Sequence, residues 1–311
     1  MAAIRLAFVW LALPSVSFHT ADFVNAQSDV IYSHGTVHDN CTTLRYNEEP
    51  SVPVILECAG DFQIPSKHVR LNEIPTTIEG IFLGTKLKAS VPPEKYTEKN
   101  SIMLSDTTSI LPDLPHLVTV GLMQFNNDKA VPRLPFTRFL ENVHKKLKYL
   151  YIHNSKLVFL TSADFRGFAS LLHLEVKRCQ INSLSVGVFK ELQYPTFIFN
   201  QLGHSTLERF SASGNTMSAV DWRMFEPVSS SIRTIELDSN PKLATINMTS
   251  GSPFKLPGLR MLNLTGSDQL KSLPKDVLLT VKDSEELYAV PSVVTDQVAD
   301  SDDTDNTGEN E

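Results

Sequence analysis

Residues 146–192 read KLKYLYIHNSKLVFLTSADFRGFASLLHLEVKRCQINSLSVGVFKEL. Leu147, Leu150, Ile152, Ser155 and Leu157 return as Leu171, Leu174, Val176, Cys179 and Ile181, each 24 positions later. The shared frame is LxxLxLxxNxL, with Ser155 and Cys179 in the Asn place. Phe165 and Phe189 follow in the two copies, and Phe168 and Leu192 supply a second apolar anchor. The Leu-x-Leu core puts two side chains on one face of a short strand, because strand side chains alternate. The Asn-like position turns the chain, and its side chain satisfies backbone groups that cannot reach water. The later Phe pins the returning segment onto the strand. One such unit cannot bury its own core, so several have to stack. A single amphipathic helix accounts for neither the doubled Leu-x-Leu nor the fixed return.

A frame of this kind and length is that of the leucine-rich repeat, whose period is about 20–29 residues. The expected fold is therefore α/β: a curved horseshoe solenoid with a parallel β-sheet on its concave face. Three further turns follow downstream. They are Leu207, Phe210, Ala212, Asn215, Met217; then Ile232, Ile235, Leu237, Asn240, Leu243; then Leu259, Leu262, Leu264, Ser267, Leu270. Upstream, Ile78, Ile81 and Leu83 fit a degenerate first turn, Ile102 and Leu104 a second, and Leu117, Val120, Leu122 and Asn126 a third. The step from Leu171 to Leu207 is 36 residues, too short for two repeats. Phe197-Ile198-Phe199 inside it reads either as an extra strand or as a convex insertion.

The start of the chain bears on compartment. Arg5, the apolar run LAFVWLALP and the small residues Val24-Asn25-Ala26 read as a secretory signal cut before Gln27, with Ser15-Val16-Ser17 as a second cleavage site. The apolar run is too short for a membrane span, and no other stretch approaches ~20 apolar residues. The organisation that follows is residues 1–26 signal peptide, 27–77 N-terminal cap, 78–280 about six to eight repeats, and 281–311 an acidic, largely disordered tail. In an oxidising compartment Cys41 and Cys58 are expected to pair. Such a bridge would contribute about 3 kcal/mol on the chain-entropy account.

The charge distribution excludes one class of partner. The chain carries a formal net charge of -7, yet residues 281–311 hold ten acids against one lysine, which leaves the body at +2. No basic field exists to attract nucleic acid. The run SDDTDNTGENE has no apolar residue and reads as a solvated tail.

The arrangement from about residue 41 to 280 resembles the animal extracellular leucine-rich repeat proteins, the group of Toll-type receptor ectodomains and secreted adhesion and immune proteins. Gln63-Ile64-Pro65 and Glu73-Ile74-Pro75-Thr76-Thr77-Ile78 are similar to the entry phrase that follows the N-terminal cap in that group. The resemblance implies a small N-terminal cap held by the Cys41–Cys58 disulfide over the open edge of the first repeat, with two cysteines where the usual cap has four. No cysteine follows Cys179, so the disulfide-bonded C-terminal cap of the group is absent. The resemblance implies a secreted, non-catalytic binding module for an extracellular protein or glycan ligand. An uncapped end would leave a route to a homodimer. Two alternatives stay open: an intracellular repeat scaffold with an acidic tail, and a receptor ectodomain without its anchor.

No nucleophile elbow, P-loop or dinucleotide fingerprint is present, so no catalytic residue and no cofactor is assigned. His34 and His38 beside Asp39 and Cys41 read as a solvated segment, and no metal site is assigned. Cys179 reads as a buried structural thiol. Asn40, Asn247 and Asn263 head N-glycosylation triplets.

With the first Leu of each repeat as position 1, positions 3, 5, 7 and 8 face outward and form columns across the sheet. They hold Tyr149, Tyr151, His153 and Asn154, then His173, Glu175, Lys177 and Arg178, then Arg209, Ser211 and Ser213. The columns end at Thr234, Glu236 and Asp238, then Met261, Asn263 and Thr265. Tyr149, Tyr151, His153, His173, Glu175, Lys177 and Arg209 are the expected ligand-binding set, because aromatic rings and guanidinium groups dominate binding hot spots.

Overall fold

In the computed structural model the described residues are 30–34, 41–46, 54–58, 63–64, 74–84, 103–104, 111–123, 136–192, 205–249, 255–274, 277 and 286–288. The strands in chain order are β1 (Val30–His34), β2 (Cys41–Tyr46), β3 (Val54–Cys58), β4 (Gln63–Ile64), β5 (Gly80–Leu83), β6 (Met103–Leu104) and β7 (Thr119–Met123). Then come β8 (Tyr149–His153), β9 (Phe159–Leu160), β10 (His173–Lys177), β11 (Ser183–Leu184) and β12 (Arg209–Ser211). The last are β13 (Ala219–Asp221), β14 (Thr234–Glu236), β15 (Thr245–Asn247), β16 (Met261–Asn263) and β17 (Glu286–Tyr288).

One 11-stranded sheet runs β1-β2-β3-β5-β7-β8-β10-β12-β14-β16-β17. From β3 onward every neighbour pair is parallel. Parallel neighbours joined by long returns are what a stack of single-strand turns must produce. The register repeats the frame of the sequence: Leu150 pairs with Leu174 and with Val120, and Phe210 with Leu174 and Ile235. The first, fourth and sixth positions of each turn, such as Leu147, Leu150 and Ile152, are buried in one continuous core. This is a leucine-rich repeat solenoid.

Phenylalanine fills the middle of the stack. Phe165, Phe189 and Phe225 occupy the same position in three successive turns, with ring centroids 6.3 and 5.8 Å apart. Phe210 closes on Phe189 at 5.0 Å, edge to face, and Trp222 on Phe225 at 5.1 Å. Edge-to-face pairs at these distances are stabilising beyond the area they bury. Phe168, Leu192 and Val228 are buried three residues after each spine Phe. Among the described residues the convex side carries a short α-helix (Phe136–Phe139), 3-10 turns (Ser162–Phe165, Lys190–Leu192, Trp222–Val228) and two-stranded sheets, β9 with β11 and β13 with β15.

Buried polar side chains stitch one turn to the next. The Cys179 thiol donates to the Ile152 carbonyl at 3.0 Å, and Asn215 Nδ2 to the Val176 carbonyl at 2.7 Å. Asn240 Nδ2 reaches Ala212 at 3.1 Å, and Ser267 Oγ reaches Leu237 at 3.4 Å. In each case the acceptor is the sixth-position carbonyl of the preceding turn. The Asn-like place therefore closes a gap between turns as well as turning its own chain.

Several expectations need correction. β5 pairs directly with β7, so no strand of the main sheet stands between them; Met103 and Leu104 pair with β4 in a small separate sheet, and Ile102 lies outside the described residues. β10 pairs directly with β12, so the 36-residue step adds no strand to the main sheet, and Phe197-Ile198-Phe199 lies outside the described residues. Asn126 lies outside them too. β3, which falls within the segment expected to be cap, already belongs to the parallel ladder, headed by the antiparallel β1 and β2. β17 extends the sheet past residue 280, with Leu287 in register with Leu262. Cys41 and Cys58 stand directly opposite each other between β2 and β3.

Candidate binding face

Strand alternation carries Tyr149, Tyr151 and His153 to the concave side of β8, and His173, Glu175 and Lys177 to that of β10. The register brings like positions side by side: Tyr149 with His173 and Arg209, Tyr151 with Glu175 and Ser211, His153 with Lys177. All seven expected binding residues therefore share one patch on three consecutive strands.

Within that patch the side chains engage one another. Glu175 is the hub. Its Oε2 lies 3.0 Å from His153 Nε2 and its Oε1 3.0 Å from His173 Nε2, both able to donate. Lys177 Nζ lies 3.1 Å from Oε2 and also 3.6 Å from Glu236 Oε2. Arg209 reaches the other Glu236 oxygen at 3.2 Å. Two acids thus meet a lysine and an arginine across β10, β12 and β14. Burial alone would raise the Glu175 carboxyl pKa, but hydrogen bonds from His153 and His173 and the charge of Lys177 outweigh it and hold the group well below its usual range. Beside it, Ser213 Oγ lies 3.0 Å from Ser211 Oγ and donates to Asp238 at 2.5 Å.

An aromatic wall flanks the ionic hub. The Tyr151 ring lies 5.3 Å from His173 and 6.1 Å from His153, both edge on. On its other side it stacks on Phe82 at 6.2 Å. Phe82 belongs to β5, two strands away, and the strand between them offers Gly121 at the facing position. A Cβ at Gly121 would overlap the Phe82 ring, so glycine is what lets the two rings meet. Phe82 and Gly121 were not singled out in the sequence. The signal for them lies in the register, since both occupy the fifth position of their turns.

Accessibility divides the set. His173, Glu175 and Tyr151 are buried, at 1%, 2% and 3% exposure. Tyr149, His153, Lys177 and Arg209 are partly exposed. Burial, then the nearby Glu175 charge, pushes the Tyr151 hydroxyl pKa up; burial and Glu208 do the same for Tyr149. Neither ring ionises near neutral pH. The buried trio supports the patch, and the partly exposed four form its outer layer. His173 Nδ1 is buried with no partner among the described residues.

The same columns continue to Asn263, in register with Glu236 and Tyr288. The Thr265 amide and hydroxyl both donate to Asn263 Oδ1, at 3.1 and 2.8 Å. Asn247 is exposed on β15, and the Thr249 hydroxyl contacts Asp221. Asn40 lies outside the described residues. Cys179 is free and fully buried, and burial pushes its pKa up to about 12. Among the described residues no group of three or more His, Cys, Asp or Glu could hold a metal ion, and no helix is long and apolar enough to cross a membrane.

No family model matches the chain, and no curated protein sequence matches it. Among solved structures it is similar to a chain of the Drosophila Toll–Spatzle complex in glycosylated form, with 13% identity and a TM-score of 0.35, over 85% of this chain and 46% of that one. A second structure of that complex gives 12% identity and a TM-score of 0.37, over 84% and 47%. A chain of the TLR13–ssRNA13 complex gives 15% identity and a TM-score of 0.21, over 74% and 48%. This chain thus spans about half the length of those it matches. The repeat fold rests on the chain's own register and core.

Proposed function

We propose that the chain is a secreted, non-catalytic binding module that recognises an extracellular protein through the concave face of β8, β10 and β12. The observation that carries this reading is the Glu175 hub. A buried carboxylate held by two imidazoles and an ammonium fixes the rotamers of His153, His173 and Lys177 before any ligand arrives. Pre-ordered side chains lose little entropy on binding. Tyr149 and Arg209 flank the hub with an amphipathic ring and a planar guanidinium, the residue types that anchor interfaces.

Secretion also bears on the edges of the solenoid. In an oxidising compartment Cys41 and Cys58 would form a disulfide, because opposed antiparallel residues have Cα atoms about 4.5–5.5 Å apart, within the range a disulfide spans. A glycan on Asn263 would stand on the concave columns and direct a protein ligand toward β8 and β10, and Asn40 and Asn247 would be the other glycan carriers. β17 is the last strand of the sheet among the described residues, and a second copy could pair along it.

The test is capture of a partner from extracellular fluid by the mature chain. The double variant Tyr149→Ala, Lys177→Ala is expected to weaken capture at least ~tenfold, the loss of two anchors. Asn263→Gln should leave capture unchanged or improve it. Normal capture by the double variant would move the ligand to another surface. Recovery of the intact chain, with Met1, from cytosol would overturn secretion.

A further inference from the structure

The last two complete turns carry a row of cations that the binding face does not use. Arg233 and Arg260 are each the second residue of a turn, at the entry side of β14 and β16. The Arg260 amide donates to the Arg233 carbonyl at 2.8 Å, so the two stand on neighbouring rungs, about 4.8 Å apart. Lys255 lies five residues before Arg260, in the segment leading into the same turn. Lys255 and Arg260 are exposed and Arg233 is partly so.

The row differs from Lys177 and Arg209 on the concave strands. Lys177 and Arg209 are neutralised by Glu175 and Glu236. None of Arg233, Lys255 and Arg260 has a carboxylate partner among the described residues. Glu208 precedes Arg233 on the same row and makes no ion pair with it; Arg233 Nη1 turns instead to the carbonyls of Ser230 and Ile232, at 3.3 Å each. That guanidinium lies on Gly258, where a Cβ would overlap it. Glycine thus seats the Arg233 head on the turn that carries Lys255 and Arg260. The exposed large hydrophobics among the described residues are Val158 and Val186, on the turns beginning at Leu147 and Leu171.

We infer that this edge, Arg233 with Lys255 and Arg260, binds a sulfated polysaccharide. The chemistry selects that class. Guanidinium groups match tetrahedral oxyanions through paired N–H donors. An acidic protein interface or a lipid surface would also seek apolar contact, and among the described residues no exposed large hydrophobic stands at this edge. The site is separate from the concave face and stands or falls without it.

The probe is a fluorescein-labelled heparin hexasaccharide, read by anisotropy with the full mature chain in ~0.15 M salt, where only close charge contacts survive screening. The triple variant Arg233→Ser, Lys255→Ser, Arg260→Ser should lose at least ~tenfold in affinity, because three paired charges go. Arg260→Ser alone should lose roughly threefold, and Gly258→Ala should weaken binding by displacing the Arg233 head. Removal of two cations elsewhere, Lys145→Ser with Lys190→Ser, should change nothing, and neither should Tyr149→Ala with Lys177→Ala. Triple-variant binding within ~twofold of the parent overturns the inference, as does equal binding of desulfated heparin. Equal binding of single-stranded DNA of matched charge also overturns it, since attraction to any polyanion would then suffice. If the triple variant fails to fold, the Arg260→Ser and Gly258→Ala results decide in the same two directions.

Discussion

The Asn215 side-chain nitrogen donates to the Val176 carbonyl at 2.7 Å, across the 39 residues that separate one turn from the next. The same side chain donates to Ala212, and its oxygen accepts from the amides of Cys179 and Ile181 at 2.8 and 3.1 Å. It is 2% exposed, so water cannot replace any of these bonds.

Asn215→Ala should therefore be among the most damaging changes in the chain. It strands two amides and at least one carbonyl, each costing about 1–3 kcal/mol when buried. We expect a loss on the order of 3 kcal/mol in urea unfolding. Ser155→Ala should cost about 1 kcal/mol, since that hydroxyl donates locally to the His153 carbonyl. Equal losses at the two positions would mean that the bonds between turns add nothing.

Glu175 makes the fold sensitive to acid. Its folded pKa is lowered, because hydrogen bonds from His153 and His173 and the charge of Lys177 outweigh burial. A lowered carboxylate contributes stability that is present above its unfolded pKa, about 4.3. That stability is lost as pH falls from there through the folded value. Thermal unfolding from pH 7 down to pH 2.5 should show a steeper loss in the parent than in Glu175→Gln. The variant should be less stable at pH 7, where the one carboxylate shared by His153, His173 and Lys177 is gone. Parallel curves below pH 4 would show that Glu175 is not the acid-sensitive group.

Cys179 should behave as a hydrogen-bond donor and not as a nucleophile. Full burial pushes its thiol up to about 12, and the proton points at Ile152 and Lys177 carbonyls. Ellman's reagent at pH 8 should leave it untouched in the folded chain and label it once the chain unfolds. Cys179→Ser should cost less than Cys179→Val, because serine fills this place in the turns with Ser155 and Ser267. Fast labelling of the native chain would contradict the burial.

Most of the stack was legible from one pair of turns. The Leu-x-Leu frame placed the strands, and Phe165 and Phe189 announced the spine that Phe225 continues. Three things were hidden. The step from Leu83 to Leu117 concealed its content, because insertion length is set by what the convex side tolerates and not by the frame. Position 5 marks a side chain as facing the concave side, yet Tyr151 and Glu175 at that position are buried by neighbours on other turns. Period-two alternation reports direction and cannot report what lies alongside. Gly121 shows the same limit: its absent side chain matters only because Phe82 and Tyr151 stand on either side of it.

Position 8 gives a test of backbone strain. Asn154, Arg178, Gly214, Ser239 and Gly266 all hold it, with φ of 51, 54, 69, 56 and 70°. Each of the first four sends its amide to the seventh-position carbonyl of the following turn, Arg178 to Ser213 at 3.0 Å and Gly214 to Asp238 at 3.0 Å. The left-handed backbone is therefore part of the junction between turns, and glycine adopts it at least cost. Arg178 has no such freedom, and its side chain lies across Gly214, where a Cβ would stand 2.9 Å from Arg178 Cγ. Gly214→Ala should cost about 1–2 kcal/mol from the backbone alone, plus the contact with Arg178. In Arg178→Ala, Gly214→Ala that contact is gone and the backbone term remains. A double-mutant cycle should give a coupling of about 0.5 kcal/mol or more between neighbours of this kind. Simple additivity would mean that the Arg178 side chain does not rest on Gly214 in solution.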